Sequence, residues 1–183
     1  MPIEILSPII RILSVYRAGM VLFMGMEKRK KRILFVCWGN ICRSPMAEYI
    51  MKHLADQAGL SAALEIDSAA VSSEETGNPV YPPARRILKV HGVFCGDHRA
   101  RRMQAADYDR YDYLIGMDAV NIERMKRIAG SDPQGKIRTM MSFCGRNAEV
   151  SDPWYTGDFA AAYNDILAGC KGLLEQLLEE GDR

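Results

Sequence analysis

An excess of charge of either sign is missing from this 183-residue chain: Lys and Arg total 24, Asp and Glu total 23, and the formal net charge is +1. A balance this even removes any global argument for a nucleic-acid or anionic-membrane partner, and no nucleic acid is expected. Long apolar runs are missing too. Arg11 and Arg17 divide residues 1–26 into uncharged runs of at most nine residues, against the roughly 20 that a spanning helix needs. Cysteine is sparse. Five is an odd number, too few for a disulfide framework, and it points to a reducing, cytoplasmic setting. No Gly-x4-Gly-Lys-Ser/Thr stretch occurs, so a nucleotide-binding loop would lack its lysine. His91, Cys95 and His98 are spaced like part of a zinc site, but a structural site takes four ligands and no fourth follows. Neither a metal nor another cofactor is expected. No internal repeat or low-complexity tract interrupts residues 32–183, and 26% charged residues argue against disorder.

What is present is one domain's worth of chain, 48% hydrophobic, long enough to bury a core without staples. Residues 1–31 are expected to be an N-terminal extension outside the fold, with Met26 as an alternative start. A secretory signal is the lesser reading, because no small-x-small cleavage site follows Ala18–Met26. The basic run Lys28–Arg32 carries charge that anionic lipid can attract, but a solvated lead-in to a buried strand explains it, and membrane contact through the extension is not expected.

From residue 32 onward strands and helices alternate. Ile33-Leu34-Phe35-Val36 suits a strand buried on both faces. Ser44-Pro45 opens a helix with Met46, Ile50, Met51, Leu54 and Ala58 at helical spacing, closed by Gly59. A second strand is predicted over Leu64–Val71, a helix from Pro82 to His91, a third strand over Tyr111–Met117, a helix from Asp118 to Ala129 and a fourth strand over Ile137–Met140. Residues Gly145–Gly157 read as loop, and Asp158–Glu180 as a long final helix with a broad apolar face. This alternation implies an α/β fold, a three-layer α/β/α sandwich on a four-stranded parallel sheet. Ligands in such folds bind beyond the carboxyl ends of the strands.

The stretch after the first strand, Cys37-Trp38-Gly39-Asn40-Ile41-Cys42-Arg43-Ser44-Pro45, carries the chemistry. A loop that leaves a buried strand and enters a helix can converge its backbone N–H groups on one point, at the positive end of the helix. Gly39 permits tight curling and Asn40 tolerates a left-handed backbone. Arg43 can grip two oxygens of a tetraoxyanion. The field that holds a dianion also favours a thiolate at Cys37, and a thiolate held against phosphorus is a phosphoryl-transfer nucleophile. An acid for the leaving oxygen is found in Ser151-Asp152-Pro153-Trp154-Tyr155, where Asp152 can protonate the leaving group and then activate water. Taken alone, Asp152 reads better as a turn-forming Asp-Pro, and spacing does not bring it to Cys37.

With these residues in view, the sequence resembles the low-molecular-weight protein tyrosine phosphatase family. The nine-residue loop from Cys37 is similar to its signature, and Asp152-Pro153-Trp154-Tyr155 to its general-acid loop. Asp67-Ser68-Ala69-Ala70, Gly77-Asn78-Pro79, His98-Arg99-Ala100-Arg101 and Met117-Asp118 to Asn121 follow in the family's order. The resemblance covers about residues 32–180 and implies flavodoxin-like strand order 2-1-3-4. It implies metal-independent hydrolysis of phosphotyrosine, on a protein or a small aryl phosphate, through a cysteinyl-phosphate intermediate. Cys37 then matches the nucleophile, Arg43 the phosphate clamp and Asp152 the general acid. Ser44 matches a hydroxyl that supports the thiolate as leaving group. Asn40, Ser68 and His98 match a network that holds the loop, and Cys42 matches a second cysteine that can bond reversibly to the nucleophile. A monomer or weak dimer is expected.

Two departures from the family's pattern stand out. Trp38 occupies a position where many members have an aliphatic residue. Glu74-Glu75 falls about where an aromatic usually lines the cleft wall, leaving Trp38, Trp154 and Tyr155 to supply the walls by stacking. Acidic residues near the mouth would disfavour acidic peptides. Two related activities remain as alternatives. Arginine-phosphate phosphatases tend to have threonine where this chain has Ile41. Arsenate reductases use extra cysteines near the third strand, where this chain has none between Cys95 and Cys144.

Overall fold

The computed structural model describes residues 29–181. Four strands, β1 (Lys31–Cys37), β2 (Leu64–Ala70), β3 (Tyr113–Gly116) and β4 (Ile137–Thr139), form one sheet in the order β2-β1-β3-β4. Every pairing is parallel, with Phe35 opposite Ser68 and Cys37 opposite Ala70. The predicted architecture and strand order are therefore those of the molecule.

Strand alternation explains the layers. Ile33, Phe35 and Cys37 of β1 face one side, where they pack with α1 (Arg43–Gln57), α2 (Pro82–Val90) and α6 (Phe159–Gly181). Leu34 and Val36 face the other side and meet Tyr108 of α3 (Ala106–Arg110) and Met125 of α4 (Ala119–Ala129). Residues 33–36 of β1 have no solvent exposure at all. This is why the strand reads as a continuous apolar run rather than as an alternating one.

Four local features depart from the sequence reading. Residues 106–110 form the short helix α3, too brief to show a helical stripe; Asp107 accepts from the Gln104 amide at 2.8 Å and fixes the preceding turn. The segment Gly145–Gly157, read as loop, contains a helical turn α5 (Pro153–Thr156), capped by Asp152 with Pro153 in its first turn. Strand β4 stops at Thr139, and Met140–Cys144 winds into a 3-10 turn. Strand β3 is correspondingly shorter than predicted, because Tyr111 donates its amide to Asp107 and so belongs to the end of α3. Of the predicted extension 1–31, residues 1–28 lie outside the described residues, as do the alternative start and the signal reading, while Lys31 opens β1. Among the described residues no helix is long and apolar enough to cross a membrane.

Candidate active site

The loop between β1 and α1 is built around Asn40, whose φ of +59° makes it the one non-glycine residue with positive φ among those described. Its side chain is fully used. Nδ2 donates to Ser44 Oγ and Ser68 Oγ, both at 2.9 Å, and Oδ1 accepts from the Arg101 amide at 3.0 Å. His98 Nε2 lies 2.8 Å from the Asn40 carbonyl. A left-handed residue costs strain, and these bonds over-determine the conformation. Ser68 donates onward to Glu48 Oε2 at 2.5 Å, and Lys52 closes the other oxygen of that buried carboxylate. Ser68 and His98 thus stand behind the loop and brace it, while neither lines the cleft.

In front of the loop is a cleft of about 400 Å³, lined by Cys37, Trp38, Gly39, Ile41, Cys42 and Arg43 from the loop side and by Asp152, Trp154 and Tyr155 from the far side. Cys37 and Asp152, 115 positions apart in sequence, are brought to one cavity because the β1 and β3 ends and the segment before α6 all reach the carboxyl edge of the sheet. The Val150 amide donates to the Met117 carbonyl at 2.9 Å and anchors that last segment beside β3. Cys37 Sγ is 3.1 Å from Ser44 Oγ. Helix α1 starts without any side-chain cap, and its N-cap Cys42 and first residue Arg43 line the cleft, which leaves its first N–H groups available to an anion.

Arg43 is 3% exposed and held rigidly. Nη1 donates to Asp118 Oδ2 at 2.7 Å and to the Val150 carbonyl at 3.2 Å, and Nη2 donates to Asp152 Oδ2 at 2.6 Å. Burial alone would pull its pKa down, but Cys37, Asp152 and Asp118 outweigh burial and raise it, so the guanidinium stays charged. Asp152 is oriented at both oxygens, since Oδ1 accepts from the Trp154 amide at 3.0 Å. Burial first, then the Cys37 and Asp152 charges, push the Cys42 thiol up to about 12, so it remains protonated at neutral pH.

The mouth is aromatic and acidic. Trp154 is 55% exposed and Tyr155 85%, and Trp154 leans on Tyr81 at 5.2 Å between ring centroids. Glu74 and Glu75 lie in the lining where the sequence suggested a missing aromatic. Elsewhere, His91 stacks on Tyr163 with centroids 4.0 Å apart, and Cys170 is buried against the Ala47 carbonyl.

Sequence reasoning missed Glu48, and placed Asp118 and Arg101 in segments of the resemblance without giving either a role. Asp118 caps α4 by accepting from the Asn121 amide at 2.7 Å with one oxygen while the other holds Arg43. Its signal was visible, an Asp just before a helical run, but that signal predicts only a cap. Glu48 lies on the buried side of α1, and nothing in its spacing marks it.

Comparison with known proteins agrees with this geometry. Residues 32–183 match the family model for low molecular weight phosphotyrosine protein phosphatases. The low molecular weight protein-tyrosine-phosphatase YfkJ of Bacillus subtilis is 38% identical over 150 residues, 81% of this chain and 96% of its own. Its crystal structure covers 85% of this chain and 99% of that one, with a TM-score of 0.82 at 36% identity. The low molecular weight phosphotyrosine protein phosphatase of Rattus norvegicus is 35% identical over 155 residues, covering 82% of this chain and 98% of its own. A Drosophila arginine phosphatase has the same fold, with a TM-score of 0.72 at 35% identity over 79% of this chain and 96% of that one. This chain belongs to the low molecular weight phosphotyrosine protein phosphatase family.

Proposed function

We propose that the protein hydrolyses phosphotyrosine, on a protein or as a small aryl phosphate, through a cysteinyl-phosphate intermediate. The observation that carries this reading is the convergence of Cys37, the charged Arg43 and Asp152 on one aromatic-walled cleft at the start of an uncapped helix. The Cys37 thiolate attacks phosphorus as the bond to the aryl oxygen breaks. Arg43 and the loop N–H groups hold the remaining oxygens and neutralise their charge, so the chemistry needs no metal. A phosphate dianion competes with Asp152 for Nη2 of Arg43. Released from that bond, Asp152 carries the proton to the departing phenolic oxygen. In the second step Asp152 takes a proton from water, water attacks phosphorus, and the P–S bond breaks. Ser44 Oγ, 3.1 Å from the sulfur, then donates to the returning thiolate. The cytoplasm suits such an enzyme, since five free cysteines, one of them a nucleophile, call for a reducing setting.

Phosphoarginine is the second reading, supported by the arginine phosphatase among the structural relatives. The lining by Trp38, Trp154 and Tyr155 favours the flat aryl ester. Steady-state hydrolysis of a chromogenic aryl phosphate tests the proposal. The wild type should turn over in the presence of chelator, and Cys37→Ser should abolish turnover while leaving the fold intact by circular dichroism. Activity retained by Cys37→Ser would remove the covalent mechanism.

A further inference from the structure

The two places where this cleft departs from its family's pattern are joined to each other. Trp38 Nε1 donates to Glu74 Oε2 at 2.9 Å, so the unusual aromatic in the loop holds the unusual carboxylate on the wall. The neighbouring carboxylate is fixed as well. Glu75 Oε2 accepts from Asn78 Nδ2 at 2.7 Å, and its Cγ lies so close over Gly39 that a Cβ there would approach to 2.9 Å. Glu75 is therefore held over the loop, and the exposed Glu74 is tied to the loop through Trp38.

Two cations lie nearby, one inside the cleft and one on the outer side, on the Trp38 ring. Arg43 is shared between Asp118 and Asp152, and the Arg124 guanidinium stacks on the Trp38 ring at 4.2 Å. The lining thus holds Glu74, Glu75, Asp118 and Asp152 against the single guanidinium of Arg43, and Glu74 and Glu75 are the carboxylates that Arg43 does not meet. A phosphorylated ring entering this mouth brings its flanking side chains to two fixed negative charges. An acidic flank is repelled there and a cationic flank attracted, which sets specificity and encounter rate more than raw affinity.

Resting on the hydrolase reading above, we infer that Glu74 and Glu75 select phosphotyrosine flanked by lysine or arginine, with Trp38 and Asn78 as the residues that position them. The preference belongs to the rim and adds to the chemistry at Cys37.

Two phosphotyrosine peptides of equal length, one with Lys and one with Glu on both sides of the phosphotyrosine, test this by their kcat/KM ratio, with a phosphoarginine peptide as a third arm. The wild type should favour the Lys peptide about tenfold at low ionic strength, and the ratio should shrink as salt shortens the Debye length. Glu74→Gln with Glu75→Gln should bring the ratio near one, and Glu74→Lys with Glu75→Lys should invert it. Trp38→Phe, which keeps the ring but loses the N–H, should lower the ratio. A merely structural role for these residues would change both peptides alike. Equal wild-type rates on the two peptides, or a Lys preference that survives charge reversal, overturns the inference and leaves the hydrolase standing. Faster turnover of the phosphoarginine peptide than of either phosphotyrosine peptide overturns it in favour of a guanidinium-bearing substrate. Failure on every peptide and on a simple aryl phosphate overturns the hydrolase reading and this inference with it.

Discussion

Asp152 caps α5 through Oδ1 and grips Arg43 through Oδ2, so removing its side chain takes away a cap, an ion pair and the proposed acid together. Leaving-group dependence separates these effects. In Asp152→Ala the rate on phosphotyrosine should fall by about 10²–10⁴, the usual worth of a positioned general acid. An ester with a strongly acidic phenol needs little protonation and should lose far less. Asp152→Asn keeps an oxygen for the Trp154 amide and so preserves most of the cap, yet it has no acidic proton to give. Its pattern across leaving groups should follow that of the alanine variant. Equal losses on good and poor leaving groups in both variants would mean that Asp152 orders the site without delivering a proton.

At the scale of elements, α6 and the 3-10 turn meet in a close-packed seam. A Cβ added at Gly172 would run into the Phe143 carbonyl, and one added at Gly169 would strike Met140, backbone and side chain alike. These glycines sit in mid-helix, where exchange to alanine gains up to about 1 kcal/mol in propensity. Packing opposes that gain, because backbone cannot step aside cheaply. Gly172→Ala should therefore destabilise the fold by about 1–3 kcal/mol in chemical denaturation, and a stabilised variant would show that the seam is loose. The same seam shows where sequence reading stops. The sheet was legible because residues 33–36 are buried on both faces and form a bare apolar run, and α1 and α6 were legible from their stripes. The turn at Met140–Cys144 and the four-residue α5 are too short to repeat a helical period and are fixed by tertiary contacts and a cap. At the site, Cys37 and Arg43 were proposed from the residue types that phosphate chemistry demands and Asp152 from the family resemblance, and the fold brings all three to one cleft. The roles of Glu48 and Asp118 were not legible, since their work is to hold Ser68 and Arg43, and any spacing that reaches those partners would serve.

Across the described residues, the candidate site and the closure of the fold occupy opposite ends of the sheet's strands. The cleft lies beyond Cys37, the last residue of β1, whereas Lys31, the first, meets the end of α6. There Glu180 accepts from Tyr113 Oη at 2.6 Å, from Lys31 Nζ at 2.9 Å and from Gln176 Nε2 at 3.0 Å, tying the last helix to β1 and β3. Burial would raise the pKa of Glu180, but the hydrogen bonds from Tyr113, Gln176 and Lys31 and the Lys31 charge outweigh it and bring the value down to about 2. A carboxylate depressed on folding contributes stability that is complete above its unfolded pKa of ~4.3 and is lost as pH falls through the folded value. The cluster is partly open to solvent, so the contribution at neutral pH should be only about 1 kcal/mol or less. Glu180→Gln keeps the length of the side chain and an acceptor for Tyr113 but cannot ionise. Denaturant unfolding of wild type and variant should differ most near neutrality, and the gap should narrow as pH drops below about 4. Because the cluster is remote from the cleft, the neutral-pH rate on an aryl phosphate should not change. A gap that stays constant through the acid range would mean that Glu180 titrates alike in the folded and unfolded chain, and that the two ends of the fold are joined by packing alone.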